Sequence, residues 1–233
     1  MEELPLKKDR SRTEREKLKG LSFSKKVGYI WEYYKYYIVG VIIATALILS
    51  ISYTFLIRPD IGFFVTWSVS VLDKDEISSL TDVFDEFIFE DDSKETSAVS
   101  LFFANQDDPA FMLQYFHQIV AMLSVGSIDI FISSFETLQM HSVNEFLWPL
   151  DEILDTIKLH NPLIYEEIIK ETTQTIFGLD EDDVIHKTTG IRITDTPLMR
   201  RLGFELRTDA YFSIAVSTQH PDRTAKALIL FFE

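Results

Sequence analysis

Five histidines, at positions 117, 141, 160, 186 and 220, and several acidic runs are the side chains in this sequence with an evident capacity for chemistry. Zinc hydrolysis needs two histidines one helical turn apart with a carboxylate in reach, and no H-x-x-x-H or H-E-x-x-H spacing occurs. Calcium binding needs a loop that turns several oxygens onto one ion. The runs at 73–76, 90–92 and 180–183 lack the alternating Asp/Asn pattern with its central glycine, and so read as solvated acidic surface. There is no G-x-S-x-G elbow, P-loop or G-x-G-x-x-G, and no spacing singles out a carboxylate pair for hydrolysis. Zero cysteines remove thiol catalysis, cysteine-based zinc sites, disulfides and the lipidated cysteine of a lipoprotein. No catalytic residue, metal or cofactor is therefore expected, and a hydrolase ranks last among the functions considered.

Charge is unevenly placed along the 233 residues. Residues 1–35 carry ten Lys/Arg and six Asp/Glu, whereas the other 198 carry 12 and 31, so a chain of net charge −15 has a basic head and a strongly acidic body. An acidic body repels nucleic acid, which sets that partner class aside. Between them, residues 36–57 run for 22 positions without a charge; as a helix rising 1.5 Å per residue they cross a ~30 Å hydrocarbon core. A cleaved signal peptide would have a shorter apolar stretch, closer to the N-terminus and followed by a small-residue cleavage site. Here 35 residues precede the run and Arg58-Pro59-Asp60 follow it, the pattern of an uncleaved signal anchor. Lys17, Lys19, Lys25, Lys26 and Lys35 on one flank against Arg58 on the other place residues 1–35 in the cytoplasm and residues 58–233 outside the cell membrane. Phe23, Val27, Ile30, Trp31 and Tyr34 share one helical face. That segment is expected to lie in the headgroup layer before turning into the bilayer, with Trp31, Tyr33, Tyr34, Tyr36 and Tyr37 as the interfacial belt.

The outer region alternates strand and helix signals. Residues 62–71 form an apolar, β-branched run read as a strand buried on both faces. Asp73 with Glu76 opens a helix whose stripe is Ile77, Leu80, Phe84, Phe87 and Ile88, with Asp75, Asp82, Asp85 and Glu86 facing water. A strand at 98–104, a helix from Pro109 to Val125 with apolar residues over a wide arc, and a strand at 127–132 follow. Ser133 with Glu136 then reads as a second capping box. Residues 148–150 suggest a turn, Asp151 a short helix and Asn161-Pro162 the entry to a longer one reaching about 177. Residues 178–200 suggest a hairpin or loop through Thr188-Thr189-Gly190. A strand at 211–217 and a helix from Pro221 close the chain, with Ala225, Leu228, Ile229 and Phe232 on its inner face. Repeated strand–helix units imply α/β architecture in three layers around a largely parallel sheet.

Two stretches, VGSIDIFISSFETLQMHSVNEFLWPLDEIL (125–154) and RLGFELRTDAYFSIAVSTQHPDRTAKALILFFE (201–233), resemble the extracellular solute-binding proteins of ABC importers. The segment LSFSKKVGYIWEYYKYYIVGVI separately resembles a membrane-anchor module of uncharacterised Gram-positive proteins. In that family the chain crosses into a second lobe between the two stretches; the few dozen residues available here are too few for one, so the resemblance implies a single lobe. Its ligand-facing edge would lie outside the carboxyl ends of the strands, at Trp67 or Ser68, Asn105 to Asp108 including Asp107, and Ser133 with Ser134. Missing its second lobe, such an edge suits an accessory or scaffold protein that docks a protein partner, an ABC transporter permease being the leading candidate. The alternative is a module that captures or senses a small-molecule ligand, a peptide or sugar.

Overall fold

The structure, a computed structural model, describes residues 23–56, 60–89, 93–104, 107–178 and 185–233. It divides into two units between Arg58 and Pro59.

The first unit contains α1 (Phe23–Leu56), 34 residues of uninterrupted helix, about 51 Å long at 1.5 Å per residue. No proline breaks it, and its apolar positions from Val39 to Tyr53 are exposed. It is long and apolar enough to cross a membrane. The expected turn between a headgroup-lying segment and the span is absent: one helix runs through both, and exceeds a ~30 Å core by several turns. Trp31, Tyr34, Tyr36 and Tyr37 stand exposed on it, with the Lys35 ammonium 5.3 Å from the Tyr36 ring centre. The side chain of Tyr33 lies outside the described residues.

The second unit is an α/β domain built on β1 (Asp60–Ser68), α2 (Lys74–Ile88), β2 (Glu95–Leu101), α3 (Pro109–Ser124), β3 (Ile130–Ser133) and α4 (Phe135–Val143). It continues through α5 (Asp151–His160), α6 (Pro162–Ile168), β4 (Thr172–Phe177), β5 (Ile185–Arg192), α7 (Pro197–Leu202), β6 (Tyr211–Ile214) and α8 (Pro221–Phe232). The strand order is β2-β1-β3-β6-β5-β4. Alternation along the strands sorts the core into two clusters. Phe63, Val65 and Trp67 of β1 with Ile130 and Ile132 of β3 meet α2, α5, α6, α7 and α8 on one face. Phe64 and Phe131 meet α3 and α4 on the other, which completes the three layers. On the first face a chain of phenylalanines, Phe63–Phe84 (5.8 Å), Phe84–Phe231 (6.1 Å) and Phe231–Phe212 (5.9 Å), ties two strands to α2 and α8.

The sheet is mixed rather than largely parallel. β2–β1 and β1–β3 are parallel, but β3–β6, β6–β5 and β5–β4 are antiparallel. Strand–helix–strand crossovers stop after β3. Thr172, Thr173, Thr175, Ile176 and Phe177, expected in the tail of a helix, are β-branched and aromatic, and pair with residues 185–191 across a connection too short for a parallel crossover. Thr188-Thr189-Gly190 accordingly sits inside β5 instead of at a turn. Gly190 is needed there, because a Cβ would come within 2.5 Å of the Leu138 side chain of α4. The Asp73/Glu76 capping box is formed as expected. Asp85 does not face water: its carboxylate accepts from Ser97 N and Thr96 Oγ1, both at 2.5 Å, closing part of the β2 edge. The buried side of α8 centres on Leu228 and Phe231, with Ala225, Ile229 and Phe232 only half-buried.

Asp129, just before β3, is buried and fastens three strands. Its Oδ2 accepts from Phe64 N (2.8 Å) and its Oδ1 from Thr218 Oγ1 (2.5 Å), while its backbone pairs with Phe64 and Ala215. Replacing Asp129 with alanine orphans a buried amide and a buried hydroxyl, which costs about 2–3 kcal/mol. Asp129→Asn keeps an acceptor and should lose roughly half as much by the same reasoning. Urea unfolding of the full-length chain in mild detergent, followed by tryptophan fluorescence, measures both; an alanine variant as stable as wild type would contradict the clamp.

Candidate functional site

Trp67, Ser68, Asp107, Ser133 and Ser134 line neither of the cavities described below. Trp67 is fully buried, donates from Nε1 to Ser70 O (2.9 Å) and meets Phe204 edge-on at 5.6 Å, so it belongs to the core. Ser68 donates to Ile132 O at 3.4 Å. Ser133 is the last residue of β3, and its buried Oγ has no hydrogen-bond partner among the described residues. The cap of α4 is Ser134 rather than Ser133, accepting from Thr137 N at 3.4 Å. Asp107 is exposed, Asp108 caps α3, and Asn105 lies outside the described residues. The structure thus gives most of these side chains to the core and to caps.

A groove lies between α3 and α4, its lining on α4 beginning at Phe135, one residue beyond Ser134. α3 begins at Pro109, whose missing N–H suits the first helical position, behind the Asp108 cap. Its arc is apolar almost all round, yet only Tyr115 and Ile119 are buried; Leu113 is 58% and Val120 45% exposed, contrary to the wide buried arc expected. α4 turns Leu138, His141 and Ser142 inward. Between the helices Met112, Phe116, Phe135, Met140 and Val143, with Glu136, Gln139 and Asn144, line an open groove of about 610 Å³. The periodicity held the signal for it: α3 has more apolar surface than one contact with a sheet can cover.

Below the groove, the Tyr115 hydroxyl and His141 Nε2 lie 2.6 Å apart, linking α3 to α4. Phe131 packs against His141 at 4.4 Å and Phe146 against Phe116 at 6.1 Å. His141 Nδ1 has no partner among the described residues. Burial pushes the His141 imidazole down to about 3, holding it neutral, and raises the Tyr115 phenol. Buried together, this pair positions the two helices. On the far side of α4, Thr175 Oγ1 donates to Ser142 Oγ (2.6 Å) and meets Thr189 Oγ1 (2.5 Å), all buried, fixing α4 to the β4–β5 hairpin. Beside the groove a second hollow of about 380 Å³ is lined by Phe102, Phe103, Phe111 and Tyr115 with Gln114 and Gln118. No group of three or more His, Cys, Asp or Glu that could hold a metal occurs among the described residues.

Comparison of the chain with protein-family models, with curated proteins and with solved structures finds no match.

The depressed His141 pKa makes stability pH-dependent. Unfolded, the imidazole takes up a proton near 6.5; folded, it resists until about 3, so its contribution is complete above pH 6.5 and is lost as pH falls. The loss from this group approaches about 1.4 kcal/mol per pH unit between those values. Asp129, whose folded pKa is raised chiefly by burial, acts in the opposite sense and cancels when variants are compared. The pair His141→Leu/Tyr115→Phe leaves no orphaned polar atom and should flatten the acid limb of a stability–pH curve; equal slopes in both proteins would show that His141 titrates in the folded state.

Proposed function

We propose that the chain is a single-pass membrane protein, N-terminus in the cytoplasm, that displays residues 59–233 outside the membrane as an accessory or scaffold domain for a protein partner. On this reading the domain is related to one lobe of a solute-binding protein, and a membrane protein such as an ABC transporter permease is the leading partner. The observation that carries the docking reading is the α3–α4 groove. Large apolar side chains left half-covered along two helices are what a partner surface covers, and a patch of this kind on a soluble domain is costly unless it has an occupant. The α1 helix and the lysines on its N-terminal flank support the anchoring and its orientation. A second reading, capture of a peptide or sugar, draws on the neighbouring hollow, whose lining combines four aromatic rings with two glutamines.

Two experiments test the proposal. Affinity purification of the full-length protein in mild detergent should retain a stoichiometric membrane partner that an anchor lacking residues 59–233 does not; a solitary protein would defeat docking as a stable function. Because the chain has no cysteine, single substitutions report topology cleanly. A membrane-impermeant thiol reagent should label Asp82→Cys in intact cells and Ser11→Cys only after lysis, and the reverse pattern would invert the assignment.

A further inference from the structure

From Glu95 to Ile157 the chain contains no lysine or arginine. This run supplies β2, α3, β3 and α4 and the beginning of α5, and with them the whole lining of the groove. Its charges are carboxylates: Glu136 on the groove wall, Asp108 one turn before Met112, and Glu145 two residues beyond Val143. The groove therefore combines two properties, an apolar floor and a lining that holds a carboxylate, Glu136, and, among the described residues, no cation.

We infer that the α3–α4 groove receives a cationic amphipathic helix of a partner protein. The inference rests on the docking reading and names the partner's chemistry. Lining side chains come from two helices and their C-terminal flank, and no strand takes part, so an extended peptide would find no edge backbone to pair with. Met112 and Phe116 stand one turn apart on α3, and Phe135, Gln139 and Val143 repeat at the same spacing on α4, so a third helix can lay anchors at i, i+3, i+4 and i+7 against the two rows. Two methionines give the floor a surface that adapts to the side chains it meets. Charge selects among occupants. A second copy would set one Glu136 against another, and anionic headgroups would be repelled in the same way, whereas a lysine or arginine flanking an apolar stripe meets Glu136.

The probe is a peptide with leucine at helical spacing and lysine elsewhere, compared with a scrambled peptide of equal composition and with a leucine/glutamate helix. Binding to the full-length protein in phosphatidylcholine nanodiscs is read by fluorescence anisotropy, with empty nanodiscs as the blank. The leucine/lysine helix should bind at least tenfold more tightly than either control. The charge-preserving variants Phe116→Gln/Met140→Gln and Met112→Gln/Val143→Gln should each weaken it at least tenfold, and melting temperatures identify any variant that fails to fold. Glu136→Gln should weaken binding about twofold to threefold and reduce its salt dependence. Equal affinity for helix and scramble, or affinity unchanged by a folded groove variant, would reduce the interaction to general attraction for an acidic protein and overturn the inference. Self-association abolished by the groove variants would overturn it in favour of a second copy, and attachment of the domain to anionic vesicles through the groove in favour of a lipid surface. A membrane partner retained by folded groove variants would overturn it while leaving the docking reading intact.

Discussion

A buried carboxylate holds the parallel and antiparallel halves of the sheet in register. Asp129 sits where β3 passes between β1 and β6, accepts from Phe64 N on one side and Thr218 Oγ1 on the other, and pairs through its own backbone with both neighbours. Burial disfavours its charge, and the two hydrogen bonds to its carboxylate together with His220 and Arg223 offset part of that cost. The layers follow from this joint. Thr218 lies in the link from β6 to α8, so the bond that fixes the strand also sets where α8 starts, and α8 brings Phe231 between Phe84 and Phe212. Gly126, at φ +66°, lets the chain turn out of α3 into Asp129 without the strain a side chain would add there.

Coverage of the two faces is unequal. Five helices close one face around Trp67 and the phenylalanine chain, and its large side chains are almost wholly withdrawn from water. Two helices cover the other, and one of them, α3, is apolar over more of its circumference than the sheet can take up. Burying apolar area contributes about 25 cal/mol per Å², so the exposed Phe111, Leu113, Val120 and Phe135 leave stabilisation unrealised in the isolated domain, and of these Phe135 lines the groove. The same run of sequence, residues 95–157, is free of lysine and arginine.

Local signals survived into the structure where they were self-sufficient. The Asp73/Glu76 box, the Asp108-Pro109 start of α3, the Asn161-Pro162 start of α6 and the apolar length of α1 are short-range features, and each formed where its residues lie. Features set by distant partners were misread. Thr172 to Phe177 become a strand only because residues 185–191 lie opposite, and Asp85 turns inward only because the β2 edge needs an acceptor. Trp67 and Ser133 looked like edge residues by position at strand ends. Phe204, more than a hundred residues downstream, covers the indole, and Ser134 took the cap that Ser133 was expected to supply. The groove was half-visible as surplus apolar surface on α3, but the second wall needed the placement of α4, which depends on Gly190 and the Ser142–Thr175–Thr189 hydroxyls.

A polar pair in an apolar floor has a structural use that hydrophobic contact alone does not supply. Leucine-on-leucine packing would let α3 and α4 slide by small amounts at little cost, whereas the hydroxyl of Tyr115 and Nε2 of His141 satisfy each other only near their 2.6 Å separation. Moving either helix breaks that bond and leaves further polar atoms orphaned in the core, where His141 Nδ1 already lacks a partner among the described residues. The pair therefore fixes the width of the groove above it. On the docking reading proposed above, a groove ordered before its occupant arrives lowers the entropy lost on binding. A histidine kept neutral by burial is suited to this role, since it supplies one directional hydrogen bond without the desolvation cost of a charge.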